Sequence, residues 1–271
     1  MRIVSLCPSN TELVGYLGAE RQLVGVDDYS TWPAAIEALP RLGSDLRIDM
    51  DRVEALRPDL VLASLSVPGM ERNVEELKLR GLPFLTLAPH SLGDIRDNLL
   101  AVGEAIRCRP RAEEVASAYE RCIEAYRERS RRIETPVSIY WEWWPKPVFT
   151  PGGGNWLTEI SELAGARNVF ADDPSPSVRT DGDDVRRRNP SAIALVWVGI
   201  RQDKVKPELV YAREGWEEIE AVKERRVFAL EESLFCRPSP KLLTGLRKLA
   251  SLLHPGAYPP YVDGVDPLLE R

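Results

Sequence analysis

Four aromatic side chains, Tyr140, Trp141, Trp143 and Trp144, fall within five consecutive positions. On a strand, Trp141 and Trp143 project to one face and Tyr140 and Trp144 to the other. One face must meet the helices that cover a sheet. The other, at the carboxyl end of the strand, is where open α/β sheets take their ligands. Aromatic walls suit a broad, largely apolar organic ligand, and Trp143 and Trp144 sit nearest the strand exit. The same four rings would equally serve as core or lobe-interface packing. Tyr29 and Trp32 lie in a loop after a second strand, and Ser64 opens a loop at the same end of the sheet. Leu234 and Phe235 occupy the corresponding exit in the second half of the chain.

Other chemistries lack their residues. Pro151-Gly152-Gly153-Gly154-Asn155 is not a phosphate-binding loop, because no Gly-Lys-Ser/Thr follows. It reads as a tight turn whose amides, that of Gly153 among them, approach a ligand or cap the Asn155 helix, or as a plain connection. There is no GxSxG and no Ser/His/Asp set. His90 and His254 are the only histidines, too few for a histidine-rich metal site or paired-histidine catalysis. Asp172-Asp173 and Asp183-Asp184 read as solvated loops or helix starts. Arg186-Arg187-Arg188 reads as a helix C-terminus, where cations suit the dipole. No catalytic residue, catalytic cofactor or metal ligand set is expected.

The elements that must position the aromatic residues alternate between strand and helix. Residues 2–6 form a short apolar strand. Ser9 with Glu12 reads as a capping box; its helix carries Leu13, Val14 and Leu17 on one face and ends at Gly18. Residues 23–26 are the next strand. Asp49 or Asp51 starts a helix that Arg57-Pro58 stops. Residues 59–64 carry the continuous apolar run of a strand covered on both faces. A helix over 71–80 closes at Gly81, residues 83–87 form a strand, and Ser91 with Asp94 opens another helix. This order predicts a parallel sheet with helices on both sides.

The middle of the chain, residues 92–133, is helical. Pro110 breaks it and can be the first residue of a second helix. From there Val115, Ala118, Tyr119, Cys122, Ile123 and Tyr126 recur at helical spacing. That helix exceeds twenty residues, ~30 Å or more, and contains no glycine, which suits a rigid join between two lobes. Strand and helix then alternate again: strands over 137–143, 192–198 and 227–230, helices over 155–163, 181–188 and 240–253. The predicted organisation is an N-terminal α/β lobe (1–107), an inter-lobe helix (108–133), a C-terminal α/β lobe (134–254) and an irregular Pro-rich tail (255–271).

The 271 residues are enough for one large domain or two lobes. Hydrophobic residues make up 44% and charged residues 29%, an ordinary globular balance that excludes wholesale disorder. The net charge of −6 argues against general nucleic-acid binding, which needs a basic surface. No apolar run approaches the ~18 residues of a membrane helix, and the opening apolar run is too short for an export signal. The expectation is therefore a cytoplasmic protein as written, or a periplasmic or cell-surface one if the chain is cut from a longer precursor. Cys7, Cys108, Cys122 and Cys236 are widely spaced and expected to be reduced.

Several segments together carry a family likeness. They are Arg-Ile-Val-Ser-Leu-Cys-Pro-Ser-Asn-Thr-Glu at 2–12, Val-Gly-Val-Asp at 24–27, Asp-Tyr-Ser-Thr-Trp-Pro at 28–33 and Val-Glu-Ala-Leu-Arg-Pro-Asp-Leu-Val at 53–61. Phe-Thr-Pro-Gly-Gly-Gly at 149–154, Asn-Val-Phe at 168–170 and Phe-Cys-Arg-Pro-Ser-Pro at 235–240 continue it. In order and over nearly the whole chain they resemble the helical-backbone substrate-binding proteins of ABC importers. Within that family the chain is most similar to cobalamin-binding proteins, and to a signal-less subset carrying Trp-Glu-Trp-Trp-Pro-Lys-Pro, here 141–147.

The resemblance implies two α/β lobes with mainly parallel sheets, joined by one long rigid helix, with ligand in the cleft between them. It implies a monomeric, non-enzymatic protein that holds cobalamin or a related corrinoid, a broad apolar macrocycle with an amide fringe. Ligand contacts would come from Tyr29, Trp32, Ser64, Trp143, Trp144, Gly153, Leu234 and Phe235. Glu71 matches an acidic residue that docks onto an ABC permease. The second such position falls at Cys236, where relatives carry glutamate; Glu231 and Glu232 stand nearby. Iron–siderophore or haem is the alternative ligand, although siderophores need several cations that the strand exits do not supply. A cytosolic enzyme or chaperone of tetrapyrrole or metal handling on the same plan is the alternative class.

Overall fold

A computed structural model describes residues 1–269, which divide into two compact units. The first contains residues 1–120 together with 238–240, the second residues 121–237 and 241 onward. In the first lie β1 (Ile3–Ser5), α1 (Pro8–Tyr16), β2 (Leu23–Val26), β3 (Gly43–Ser44), β4 (Arg47–Ile48) and α2 (Met50–Ala55). They are followed by β5 (Leu60–Ser64), α3 (Glu71–Leu79), β6 (Phe84–Leu87) and α4 (Leu92–Ala105). The 22-residue helix α5 (Arg109–Ser130) begins in the first unit and ends in the second. It lies within the segment 108–133 expected to be the inter-lobe helix.

The first unit is built on a parallel sheet in the order β2-β1-β5-β6. Val4, Val61 and Ala63 are fully buried in it, which requires the uninterrupted apolar runs seen in the sequence. Local signals act as expected in several places. The Asp49 side chain accepts from Arg52 N to start α2, and Ser91 with Asp94 forms a complete capping box on α4. The capping box expected at Ser9 and Glu12 does not form. Proline tolerates the first helical turn, so α1 starts at Pro8 with Cys7 at the cap and no side-chain bond. Glu12 is buried and instead accepts from the Ser239 hydroxyl, which belongs to the same unit.

The second unit holds β7 (Val137–Glu142), β8 (Trp144–Pro145), β9 (Val148–Thr150), α6 (Trp156–Leu163), β10 (Ala166–Asn168) and β11 (Val178–Thr180). It continues through α7 (Gly182–Arg188), β12 (Ala192–Leu195), α8 (Glu208–Tyr211), α9 (Glu220–Lys223), β13 (Val227–Ala229), α10 (Glu232–Phe235) and α11 (Leu242–Leu253). Its main sheet is parallel in the order β10-β7-β12-β13. Beside it lies an antiparallel sheet, β11-β9-β8, whose strands have two or three residues and no periodic signature. Asn155 and Asp181 cap α6 and α7 with their side chains. Residues after 254 do not simply trail away: Tyr258 is buried, stacks on Tyr126 at 5.6 Å and donates its hydroxyl to Leu163 O at 3.0 Å. No helix among the described residues is long and apolar enough to cross a membrane.

Candidate functional site

Each parallel sheet has a switch point, where connections from two adjacent strands leave in opposite directions and open a crevice beyond the strand ends. In the first unit the adjacent strands are β1 and β5; in the second they are β7 and β12. The expected site residues can be placed against these two edges.

In the first unit, Ser64 ends β5, is buried, and shares a 2.9 Å hydrogen bond with Ser66. Tyr29 follows β2 and is 50% exposed, although its backbone is tightly held. The buried Asp27 carboxylate accepts from Tyr29 N at 2.7 Å and from Ser30 N at 3.1 Å. Trp32 is half-buried. Its ring lies 4.9 Å from that of Tyr16, and a Cβ on Gly15 would come within 2.6 Å of it. One side of it packs on α1. Glu71 begins α3, is exposed, and accepts from Gly69 N at 2.7 Å.

In the second unit the aromatic run divides. Tyr140 and Trp141 are both fully buried, because the sheet is covered on both faces. Trp141 packs on Phe235 with ring centroids 5.4 Å apart. The strand ends at Glu142, so the alternation expected through Trp143 stops there. Trp143 is partly buried, its N–H donates to Phe149 O at 2.9 Å, and its indole Nε1 is buried with no hydrogen-bond partner. Trp144, in β8, is 40% exposed and donates Nε1 to Lys146 O at 3.1 Å.

Two expected contacts belong to the interior, and a third is taken up within the fold. Phe235 and Leu234 are buried in the four-residue helix α10, and the Phe235 carbonyl accepts from Trp156 Nε1 at 2.8 Å. A side chain this enclosed by Trp141 has no free face for a ligand. The Gly153 amide is used within the fold, donating to Asp173 O at 2.6 Å. A Cβ there would stand 2.6 Å from Ala171 O, so this glycine is needed for the close approach of two backbone segments. Cys236 points its sulfur at Val196 O, 3.6 Å away. Glu231 and Glu232, considered as replacements for the acid absent there, are paired with Lys248 and Arg237 respectively.

Glu142 is a charged group enclosed within the second unit. It is wholly buried at the end of β7. Arg213 donates to both of its oxygens, at 2.5 and 2.7 Å, Trp197 Nε1 donates at 2.9 Å and Tyr140 OH at 3.1 Å. Burial opposes the Arg213 charge, but hydrogen bonding and attraction from Glu142 hold its pKa above the ordinary arginine value. Burial first, and then the Glu142 charge, push the Tyr140 hydroxyl well above the usual tyrosine range. Trp197 and Arg213 border a cavity of about 910 Å³, across from Pro145, Lys146 and Val148 of the β8–β9 hairpin. Among the described residues no group of three or more His, Cys, Asp or Glu side chains is placed to hold a metal ion.

The four sulfurs are unbridged. Burial pushes the Cys7 thiol up to about 12 and also raises that of Cys236. Since the thiolate is the nucleophile and Cys7 is also buried, iodoacetamide at pH 8 is expected to leave Cys7 unmodified in the folded protein and to label it in denaturant. Peptide mass mapping checks this; rapid native labelling of Cys7 would contradict its burial at the start of α1.

Comparison with known proteins matches residues 3–234 to the family described as periplasmic binding protein. An uncharacterized ABC transporter substrate-binding lipoprotein of Bacillus subtilis (strain 168) is 30% identical over 262 residues, covering 95% of this chain and 81% of that protein. A vitamin B12-binding protein of Yersinia pestis (strain Pestoides F) is 28% identical over 252 residues, 92% of this chain and 84% of its own. The crystal structure of a periplasmic vitamin B12 binding protein of Vibrio cholerae superposes with a TM-score of 0.77 at 25% identity, covering 93% and 96% of the two chains. A periplasmic heme-binding protein from Roseiflexus sp. RS-1 shares the fold, with a TM-score of 0.82 at 23% identity over 94% and 98%.

Proposed function

This chain belongs to the periplasmic binding protein family, and from that premise we propose that it captures cobalamin or a related corrinoid for an ABC importer. The family consists of substrate-binding proteins, so the activity sought is binding. The observation that carries the corrinoid reading is an exposed aromatic side chain on the segment that follows β2 and another on the segment that follows β7. Tyr29 is 50% and Trp144 40% exposed, whereas Tyr140, Trp141 and Phe235 are enclosed. Aromatic walls suit a broad, largely apolar ligand, and a corrin offers the apolar faces that would cover them. The vitamin B12-binding relatives point to the same ligand. Ser64 and Trp143 are proposed to complete the contact set. Glu71, on the surface of its own unit, is proposed to face the permease.

Calorimetric titration of cyanocobalamin tests this reading. Burying apolar surface at ~25 cal/mol per Å² makes each aromatic wall worth about 1–3 kcal/mol. Tyr29→Ala and Trp144→Ala are therefore expected to weaken binding roughly ten- to hundredfold, with unchanged circular dichroism. Glu71→Ala is expected to bind as the wild type does. Indifference to both aromatic substitutions would overturn the site assignment.

A further inference from the structure

We propose that Glu142 is the positioning residue of the second unit's binding edge, holding two walls of the cavity in place through Trp197 and Arg213. The inference rests on the reading that the carboxyl edge of this sheet receives the ligand. A buried carboxylate is costly unless every oxygen is engaged, and an apolar side chain could fill the same space. What an apolar residue could not supply is direction. The bonds to Glu142 come from three separate segments: its own strand through Tyr140, the loop beyond β12 through Trp197, and the loop between α8 and α9 through Arg213.

Neither loop has a long regular element to fix it. Trp197 lies past the last residue of β12, tethered nearby by Val196 N to Glu142 O at 3.0 Å and Val198 N to Trp143 O at 3.3 Å. Arg213 lies between two four-residue helices. The geometry closes on itself: the Arg213 guanidinium sits 4.5 Å above the Trp216 ring, which meets Tyr140 edge-on at 6.2 Å. Trp197, Arg213 and Trp216 all border the cavity. One carboxylate at the switch point of β7 and β12 thus sets the relative placement of groups from distant parts of the chain.

The test separates positioning from stability. Replacing a buried ion pair by apolar residues of similar volume commonly leaves stability unchanged, so the double variant Glu142→Leu/Arg213→Leu is expected to melt near the wild type. Hydrogen exchange followed by mass spectrometry should then show amides in residues 143–150 and 196–200 exchanging roughly tenfold faster, with α4 unchanged. Cyanocobalamin affinity should fall about tenfold or more in the same variant. Wild-type exchange in both segments, or faster exchange with wild-type affinity, overturns the inference. If the double variant does not fold, Trp197→Phe removes only the indole donor and is expected to loosen residues 196–200 alone. Failure of the wild type to bind cyanocobalamin would refute the ligand reading, and the exchange result alone then decides the positioning role.

Discussion

Arg213→Met is expected to lower the free energy of unfolding by about 3–5 kcal/mol, the cost of leaving a buried charge without its partner. Glu142 has no solvent exposure and receives two of its four hydrogen bonds from this one guanidinium. Methionine fills much of the volume and donates nothing. The remaining donors, Tyr140 and Trp197, engage one oxygen each, so neither oxygen is fully satisfied. Arg213→Lys should recover part of the loss, because an ammonium restores charge without the two-pronged geometry. Urea unfolding at neutral pH measures the difference. A loss below about 1 kcal/mol would mean that the cluster is solvated and behaves as a surface pair.

Trp141→Ala is expected to cost a similar amount, about 3–5 kcal/mol, for a different reason. The ring is fully buried between α6 and α10, against Phe235, with its Nε1 donating to Ser161 Oγ at 2.9 Å. Deleting it removes apolar contact and leaves a void that strand β7, held on either side by β10 and β12, cannot collapse to fill. Ser161 keeps its own bond to Leu157 O at 2.6 Å, so the loss is packing, with little from an orphaned hydroxyl. Trp141→Phe should therefore retain most of the stability. Equal losses for the two variants would show that the hydrogen bond, and not the ring's volume, carries the effect.

The contrast between Trp141 and Trp144 explains how far the sequence could be read. Both belong to one aromatic run, and alternation along a strand assigns them to opposite faces. That rule holds only while the strand lasts, and β7 stops at Glu142. The two-residue strand β8 that follows carries too few positions for any period, so the hairpin that exposes Trp144 has no sequence signature. Helix starts were legible at Asp49, Ser91, Asn155 and Asp181, whose cap bonds each span no more than three residues. The parallel sheets followed from continuous apolar runs. Glu12 misled because its partner, Ser239, lies 227 positions away. Glu142 was invisible for the same reason, with Trp197 and Arg213 at separations of 55 and 71. Gly153 looked like a ligand-facing turn because its spatial neighbours, Ala171 and Asp173, come from a segment with no pattern of its own.

The central claim is corrinoid capture, and equilibrium dialysis of the purified wild-type protein against cyanocobalamin, read by visible absorbance and paired with hemin in a parallel cell, tests it most directly. Saturable uptake of cyanocobalamin, with hemin bound more weakly, is the predicted result. No uptake at about 100 μM, a concentration at which even an affinity of −5.5 kcal/mol would register, together with saturable hemin binding, would contradict the corrinoid assignment and transfer the site to haem.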